Sequence, residues 1–239
     1  MERILLVKEI LKKAQYAVFF GGAGVSTDSG IPDFRSSGGV YGADESKEYY
    51  LSNACLRNDP EAFFRFYREN MLYPDAQPNE THLALAKLEK MGKLQAVITQ
   101  NIDGLHQKAG SQRVIELHGT TARYYCGRCG KLYDPSYVEG GEGIPRCEKC
   151  GGIVRPDVTL FGESLPGSAF YDAEEEIANA DVLIVGGTSL TVHPAASLVG
   201  QFRGEHLIII NRTTTPYDGL AEFVIHEGLS HVFRQLQDL

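Results

Sequence analysis

Tyr16-Ala-Val-Phe-Phe20 runs directly into Gly21-Gly-Ala-Gly24-Val-Ser26-Thr27, and the reading of this junction decides the fold. The apolar run is too short for a helix and suits a strand buried on both faces; the glycines then supply a tight turn. The same pattern, a short aliphatic run stopping at a polar loop, returns at Leu94-Gln-Ala-Val-Ile98, Asp181-Val-Leu-Ile-Val185 and His206-Leu-Ile-Ile-Ile210. Between these runs the periodicity is helical. Leu5, Leu6, Ile10 and Leu11 recur at helical spacing, and helices are predicted over His82 to Met91, Ala169 to Asn179, Ala195 to Phe202 and Leu229 to Leu236. Continuous apolar strands alternating with amphipathic helices imply an α/β fold, a doubly wound, Rossmann-like parallel sheet covered on both faces. Ligands in that class sit beyond the carboxyl ends of the strands, so the loops that follow these runs are where chemistry is sought.

Two stretches break the alternation and divide the chain. Residues 1–35, 80–121 and 157–239 are assigned to the Rossmann-like domain. Residues 36–79, rich in aromatics and charges, are predicted to form a helical insertion or lid, with Phe63, Phe66 and Tyr67 at helical spacing. Residues 122–156 carry two cysteine doublets, Cys126-Gly-Arg-Cys129 and Cys147-Glu-Lys-Cys150. Four thiolates at that spacing surround one Zn²⁺ tetrahedrally. All ligand positions are then protein sulfur, with none open for an activated water, so the ion braces a fold and the chemistry lies elsewhere. This module has few aliphatic residues of its own, and zinc supplies on the order of 10 kcal/mol in comparable small modules. The remaining thiol, Cys55, reads as a small packing residue.

Bulk composition bounds the partners. The chain has 239 residues, 43% of them apolar, enough for a well-buried core plus a smaller module. Lys+Arg 23 against Asp+Glu 31 gives a net charge of −8, which argues against a nucleic-acid partner and tolerates a basic peptide. Residues 1–15 alternate charge with aliphatics and lack the pattern of a signal peptide. No run approaches the roughly 20 apolar residues of a membrane span. Cysteines in doublets point to metal ligation in a reducing compartment, so a cytoplasmic location without membrane contact is expected. The oligomeric state stays open, a monomer being compatible with the sequence.

Two constellations carry candidate chemistry. The turn around Gly22, Ala23 and Gly24 follows a strand, so its backbone amides suit close approach to a pyrophosphate. It shares only the first two glycines of the dinucleotide fingerprint, and a plain strand-to-helix turn remains the alternative. Gln100-Asn101-Ile102-Asp103-Gly104-Leu105-His106 follows a second strand, and Leu117-His118-Gly119 closes a third apolar segment. An amide, a carboxylate and an imidazole at strand ends can converge on one crevice. His118 is the candidate base, because imidazole titrates near 6.5 and can take a proton at neutral pH. A structural histidine is the alternative for His118, and capping or packing is the reading for His82 and His106.

Taken in order, Gly22 to Arg35, Thr99-Gln100-Asn101-Ile102-Asp103, Leu117-His118-Gly119, the cysteine doublets, Phe161-Gly162-Glu163, Gly187-Thr188-Ser189-Leu190 and Asn211 resemble the sirtuins, NAD-dependent protein-lysine deacylases. The resemblance covers nearly the whole chain. It implies NAD as co-substrate, one structural Zn²⁺, nicotinamide release and transfer of the acyl group from lysine to ADP-ribose. It makes His118 the base that deprotonates a ribose hydroxyl and Asn101 the residue that positions the ribose and a water. Asp103 and Ile102 then hold the nicotinamide carboxamide, and Gln100 binds ribose hydroxyls. Ala23, Gly24 and Thr27 line the pyrophosphate and ribose side, Arg35 approaches the phosphates, and Phe34 shields the anomeric carbon. Asp33 is either a ligand contact or a cap of its own loop. Thr188, Ser189 and Asn211 match the adenosine side, where the backbone near Gly228 completes the pocket and Arg212 is either a contact or a solvated charge.

The resemblance also implies an acyl-lysine peptide docked as an extra strand between Phe161-Gly162-Glu163 and the loop holding Val192 and His193. Relatives that prefer succinyl or malonyl groups carry Tyr and Arg three apart on the inserted helix, where this chain has Phe64 and Tyr67. Without that guanidinium, acetyl and other uncharged acyl groups are expected. His193 stands where tyrosine is common and Thr159 where an aliphatic residue is common, both beside the peptide strand. Rival readings are a mono-ADP-ribosyltransferase sharing the same pocket, a non-enzymatic NAD or acyl-peptide binding module, and a hydride-transferring dehydrogenase.

Overall fold

The computed structural model describes residues 2–42 and 44–236. Helix α1 (Glu2–Lys13) leads into β1 (Ala17–Gly21), and two single-turn 3-10 segments, Ala23–Val25 and Thr27–Ser29, carry the chain away from the strand end. The insertion holds a 3-10 helix (Glu45–Leu51), α2 (Asn53–Asn58) and α3 (Pro60–Asn70), after which α4 (Glu80–Lys90), β2 (Leu94–Thr99), α5 (Leu105–Ala109) and β3 (Val114–Glu116) follow. The cysteine-bearing module comprises β4 (Gly119–Cys126), β5 (Leu132–Tyr133), α6 (Ser136–Glu139) and β6 (Val154–Val158). Helix α7 (Gly167–Asn179), β7 (Val182–Gly186), a 3-10 helix (Ala195–Gln201), β8 (His206–Ile210), β9 (Phe223–Ile225) and α8 (Leu229–Leu236) complete the chain.

Six strands pair in the order β3-β2-β1-β7-β8-β9, every pair parallel. Strand order runs outward in opposite directions from β1 and β7, so the topological switch point lies between them. Doubly wound sheets bind ligands in the crevice beyond the strand ends at that point. All residues of β1 and β7 are buried, as runs without polar alternation require. One face packs against α1, α4 and α8 through Ile4, Val7, Leu11, Leu85 and Phe233. The other packs against α7 and the Ala195–Gln201 helix through Ala173, Ile177, Leu198 and Val199.

Two local readings change. The buried face of α1 is Ile4, Val7 and Leu11, while Leu5 and Leu6 are 59% and 48% exposed. Leu5 and Leu6 follow Ile4 by one and two residues, and each step turns a helix by about 100°, so both point away from the sheet. The predicted helix over 195–202 is a tighter 3-10 element, Ala195–Gln201, preceded by Pro194, which has no N–H, and containing Gly200 near its end.

The insertion and the cysteine module share one core. Phe63, Phe64 and Tyr67 of α3 pack with Tyr124, Val138 and Val154, and the Tyr67 and Tyr124 hydroxyls meet at 2.8 Å. Phe64 takes the buried place that the spacing suggested for Phe66, which stacks at 5.1 Å on Tyr50. Cys55 is fully buried in this core, in accord with a packing role. Among the described residues no helix is long and apolar enough to cross a membrane.

Candidate active site

The crevice begins where β1 stops. A Cβ on Gly24 would come within 2.8 Å of Gly187 Cα, and one on Gly22 within 2.9 Å of Thr188 Cβ. Only glycine lets the two turns touch, and the Gly24 amide donates to the Gly187 carbonyl at 2.8 Å. Thr27 Oγ1 donates to the Gly24 carbonyl at 3.1 Å, which braces the same turn.

The loop after β2 supplies the polar groups. Ser26 Oγ, 1% exposed, donates to Asp103 Oδ2 at 2.6 Å and accepts from Asn101 Nδ2 at 3.1 Å. Asp103 Oδ1 accepts from the Leu105 amide at 2.9 Å. Burial pushes the Asp103 carboxyl above its ordinary range, opposed by the Ser26 and Leu105 hydrogen bonds. The Ile102 carbonyl is held by Thr121, through its amide at 2.9 Å and its hydroxyl at 3.0 Å. Gln100 Oε1 accepts from Thr188 Oγ1 at 3.2 Å, whereas Gln100 Nε2 is buried without a partner among the described residues. A buried donor of this kind fits a sugar hydroxyl arriving in the crevice.

His118 faces this loop. Its Nδ1 lies 2.9 Å from the Gln100 carbonyl. A carbonyl only accepts, so Nδ1 carries the proton and Nε2 of the neutral ring keeps its lone pair. Burial pushes the His118 pKa down, and the bond to the Gln100 carbonyl partly opposes it. The neutral, proton-accepting ring therefore dominates at pH 7.

The remaining predicted contacts engage partners of their own. Asp33 accepts from the Ser36 amide at 2.8 Å, so it caps its own loop, and Phe34 packs 5.3 Å from the Tyr41 ring. Arg35 is paired with Glu48 at 2.7 Å. Asn211, 9% exposed, donates to the Thr213 carbonyl, while Arg212 lies near Asp28 at 3.5 Å. Ser189 Oγ meets Thr191 Oγ1 at 2.8 Å on the exposed side of the β7 turn. Beside Gly119, a polar hollow of about 400 Å³ is lined by Thr159, Gly162 and Ser164 among others. Phe161 pairs its backbone with the insertion, donating to the Leu51 carbonyl at 3.1 Å and accepting from the Asn53 amide at 3.0 Å. Val192 and His193 precede the Ala195–Gln201 helix, and the Val192 carbonyl accepts from the Ala196 amide at 2.9 Å.

The four doublet sulfurs all lie within 4.8 Å of one another, with Cys126–Cys150 at 3.5 Å and Cys129–Cys147 at 3.6 Å. Zn–S bonds of about 2.3 Å in a tetrahedron give sulfur separations of about 3.8 Å, so the cluster fits one Zn²⁺. Cys126 ends β4 and Gly119 begins it, which puts roughly 20 Å of strand between the sulfurs and His118.

Residues 22–194 match the Sir2 family. An NAD-dependent protein deacetylase of Clostridium perfringens is 48% identical over 242 residues, covering 99% of each chain. Another, from Clostridium acetobutylicum, is 50% identical over 237 residues and covers 97% of each. The chain belongs to the Sir2 family. A Sir2 structure with a p53 peptide and NAD⁺ superposes with a TM-score of 0.87 at 38% identity, covering 98% of this chain and 96% of that one.

Within this Sir2 fold, the structure brings Gly24, Gln100, Asn101, Asp103, His118 and Thr188 around one crevice. Arg35 is turned to Glu48, and Asn211 stands one strand further out, immediately after the end of β8. Sequence reasoning assigned no role to Ser26, although it bridges Asn101 and Asp103. Its signal was only a hydroxyl residue inside the glycine turn; the partners lie on another loop. His82 and His106 pack as expected. His82 Nδ1 accepts from the Asn79 amide in the capping box of α4, and the two rings meet edge-on at 4.7 Å.

Proposed function

We propose that this chain is a protein-lysine deacetylase that consumes NAD, passes the acyl group of an acyl-lysine substrate to ADP-ribose and releases nicotinamide. The observation that carries the reading is the His118 geometry, with Nδ1 spent on the Gln100 carbonyl and Nε2 free to take a proton. His118 is the base for a ribose hydroxyl, worth about 10²–10⁴ in rate. Gln100 Nε2 supports the same sugar, Asn101 orients it, and Asp103, fixed by Ser26, accepts from the nicotinamide carboxamide while Ile102 meets its oxygen. Ala23, Gly24 and Thr27 face the pyrophosphate, Phe34 excludes water, and Thr188, Ser189 and Asn211 serve the adenosine end. Arg35 reaches the phosphates by leaving Glu48. Asp33 acts through its loop.

The peptide lies between Phe161-Gly162-Glu163 and Val192-His193, and Thr159 and His193 tune which peptides are preferred. Acetyl is favoured over acidic acyl groups: Phe64 and Tyr67 carry no positive charge, and the one hydroxyl between them is already engaged by Tyr124. Cys126, Cys129, Cys147 and Cys150 hold one Zn²⁺, which supplies stability and no chemistry. Reduced thiols in this role favour the cytoplasm, and the acidic net charge disfavours nucleic acid as a partner. Mass spectrometry of an acetyl-lysine peptide incubated with NAD tests the reading. Deacetylation lowers the peptide mass, whereas a gain of ADP-ribose would replace this reading with mono-ADP-ribosyl transfer.

A further inference from the structure

Glu163 belongs to the peptide-docking segment, yet its carboxylate is saturated. Oε1 accepts from Arg155 Nη1 at 2.6 Å and from Asn53 Nδ2 at 2.9 Å; Oε2 accepts from Arg155 Nη2 at 2.9 Å and from the Leu160 amide at 2.9 Å. A carboxylate offers about four lone-pair sites, and four donors fill them. No acceptor capacity remains for a peptide.

The guanidinium is equally committed. Besides the two-pronged bond to Glu163, Arg155 Nη2 donates to the Val158 carbonyl at 2.8 Å, and the group lies 5.8 Å from the Tyr125 ring centre. The two side chains are only 12% and 19% exposed, so water competes weakly for the pair. The planar fork of arginine matches a carboxylate in two bonds and in one orientation, which lysine cannot reproduce.

Three segments therefore meet at one ion pair: β6 through Arg155, the turn from Val158 to Glu163, and the insertion through Asn53. The same turn is held from its other side by the Leu51 and Asn53 backbone bonds to Phe161. We infer that Arg155, with Glu163 and Asn53, is a positioning residue for the acyl-lysine peptide, setting the Phe161-Gly162 backbone at the height where an added strand can pair. Glu163 serves the substrate through Arg155 and touches no part of it. This inference rests on the reading that the Phe161-Gly162 turn docks the peptide.

Steady-state kinetics on an acetyl-lysine peptide, with NAD saturating and then varied, test it. Arg155→Lys and Glu163→Gln are each expected to raise the peptide KM about tenfold or more, the usual weight of a hydrogen bond to a charged group. In both, kcat stays within about threefold and the NAD KM within about twofold, the signature of lost substrate positioning. Thermal melting and zinc content verify that each variant is folded. Asn53→Ala removes one donor without stranding a charge and is expected to raise the peptide KM about threefold; it decides the matter if the charged-pair variants do not fold. An increase for Glu163→Gln with no increase for Arg155→Lys would mean that Glu163 meets the peptide itself, and would overturn the inference. An unchanged peptide KM in every folded variant also overturns it. A substrate peptide N-methylated at the backbone amides flanking the acyl-lysine, which cannot pair as an added strand, separates the two claims. If methylation leaves the peptide KM unchanged, the docking reading itself fails; if it raises that KM while the Arg155, Glu163 and Asn53 variants do not, only the positioning role fails.

Discussion

Acid should weaken this protein through two buried imidazoles. His82 and His106 are 0% and 1% exposed and lie ring to ring at 4.7 Å. Burial lowers the His82 pKa to about 4; burial and the His82 ring lower that of His106 to about 3. In the unfolded chain both return to about 6.5, so at acid pH the unfolded state binds more protons. Stability from this source is complete above pH 6.5 and is lost as pH falls from there toward the folded values. Between pH 7.5 and pH 5 the linkage integrates to about 2 kcal/mol for each ring, about 4 kcal/mol together. That is a large share of the roughly 5–15 kcal/mol that hold a typical domain. His106→Leu isolates half of the effect. It removes two buried nitrogens that have no partner among the described residues, so at pH 7.5 its stability should equal or exceed that of the parent. Urea unfolding of both proteins at pH 7.5, 6 and 5 should show the difference moving in favour of the variant by about 2 kcal/mol at pH 5. Contributions from the zinc thiolates and Asp103 are common to both chains and cancel. Parallel stability curves across this range would refute the argument, because His106 would then titrate alike folded and unfolded.

Three further outcomes are expected. His118→Ala should reduce deacetylation by about 10²–10⁴ while NAD affinity by calorimetry changes only modestly, and the acid limb of the parent kcat/KM profile should lie below pH 6.5, because the lowered pKa keeps the ring neutral there. Ser26→Ala withdraws a hydrogen bond that favours the ionised Asp103, so its pKa should rise further and kcat/KM for NAD should fall about tenfold to a hundredfold; an unaltered value would remove Ser26 from the cofactor site. Cys126→Ser should lose the metal, measured as zinc per chain, together with thermal stability, and activity should fall only because the module loosens; a zinc-free variant with full stability would contradict the bracing role.

What the sequence disclosed follows from the range of each interaction. The β1, β2, β7 and β8 runs were legible because burial on both faces writes an unbroken apolar signal into neighbouring residues. The cysteine doublets were legible because tetrahedral ligation constrains local spacing. The helical spacing of α1 was legible but its buried face was not, since adjacent leucines satisfy a loose periodicity whichever of them is buried. Ser26 and Asp103 stand on different loops, and nothing local marks the hydroxyl that bridges them. The shared core of the insertion and the cysteine module was equally hidden, because Tyr67 and Tyr124 meet only after both segments have folded.

The β4–β6 strand pair links the sulfur cluster to both ends of the proposed site. The sulfurs hold the end of β4; β4 pairs with β6 from Val154 to Val158; β6 carries Arg155 into the turn that ends at Glu163. At the other end of β4, Gly119 has φ near 76°, and a Cβ there would lie 2.0 Å from the Asp157 carbonyl oxygen, so His118 enters the crevice through a contact only glycine allows. One strand pair thus carries both His118, the proposed base, and the turn proposed to dock the peptide. Loosening the sulfur end should therefore disturb peptide positioning before it disturbs cofactor binding, whose glycine turn and polar loop hang from β1, β2 and β7.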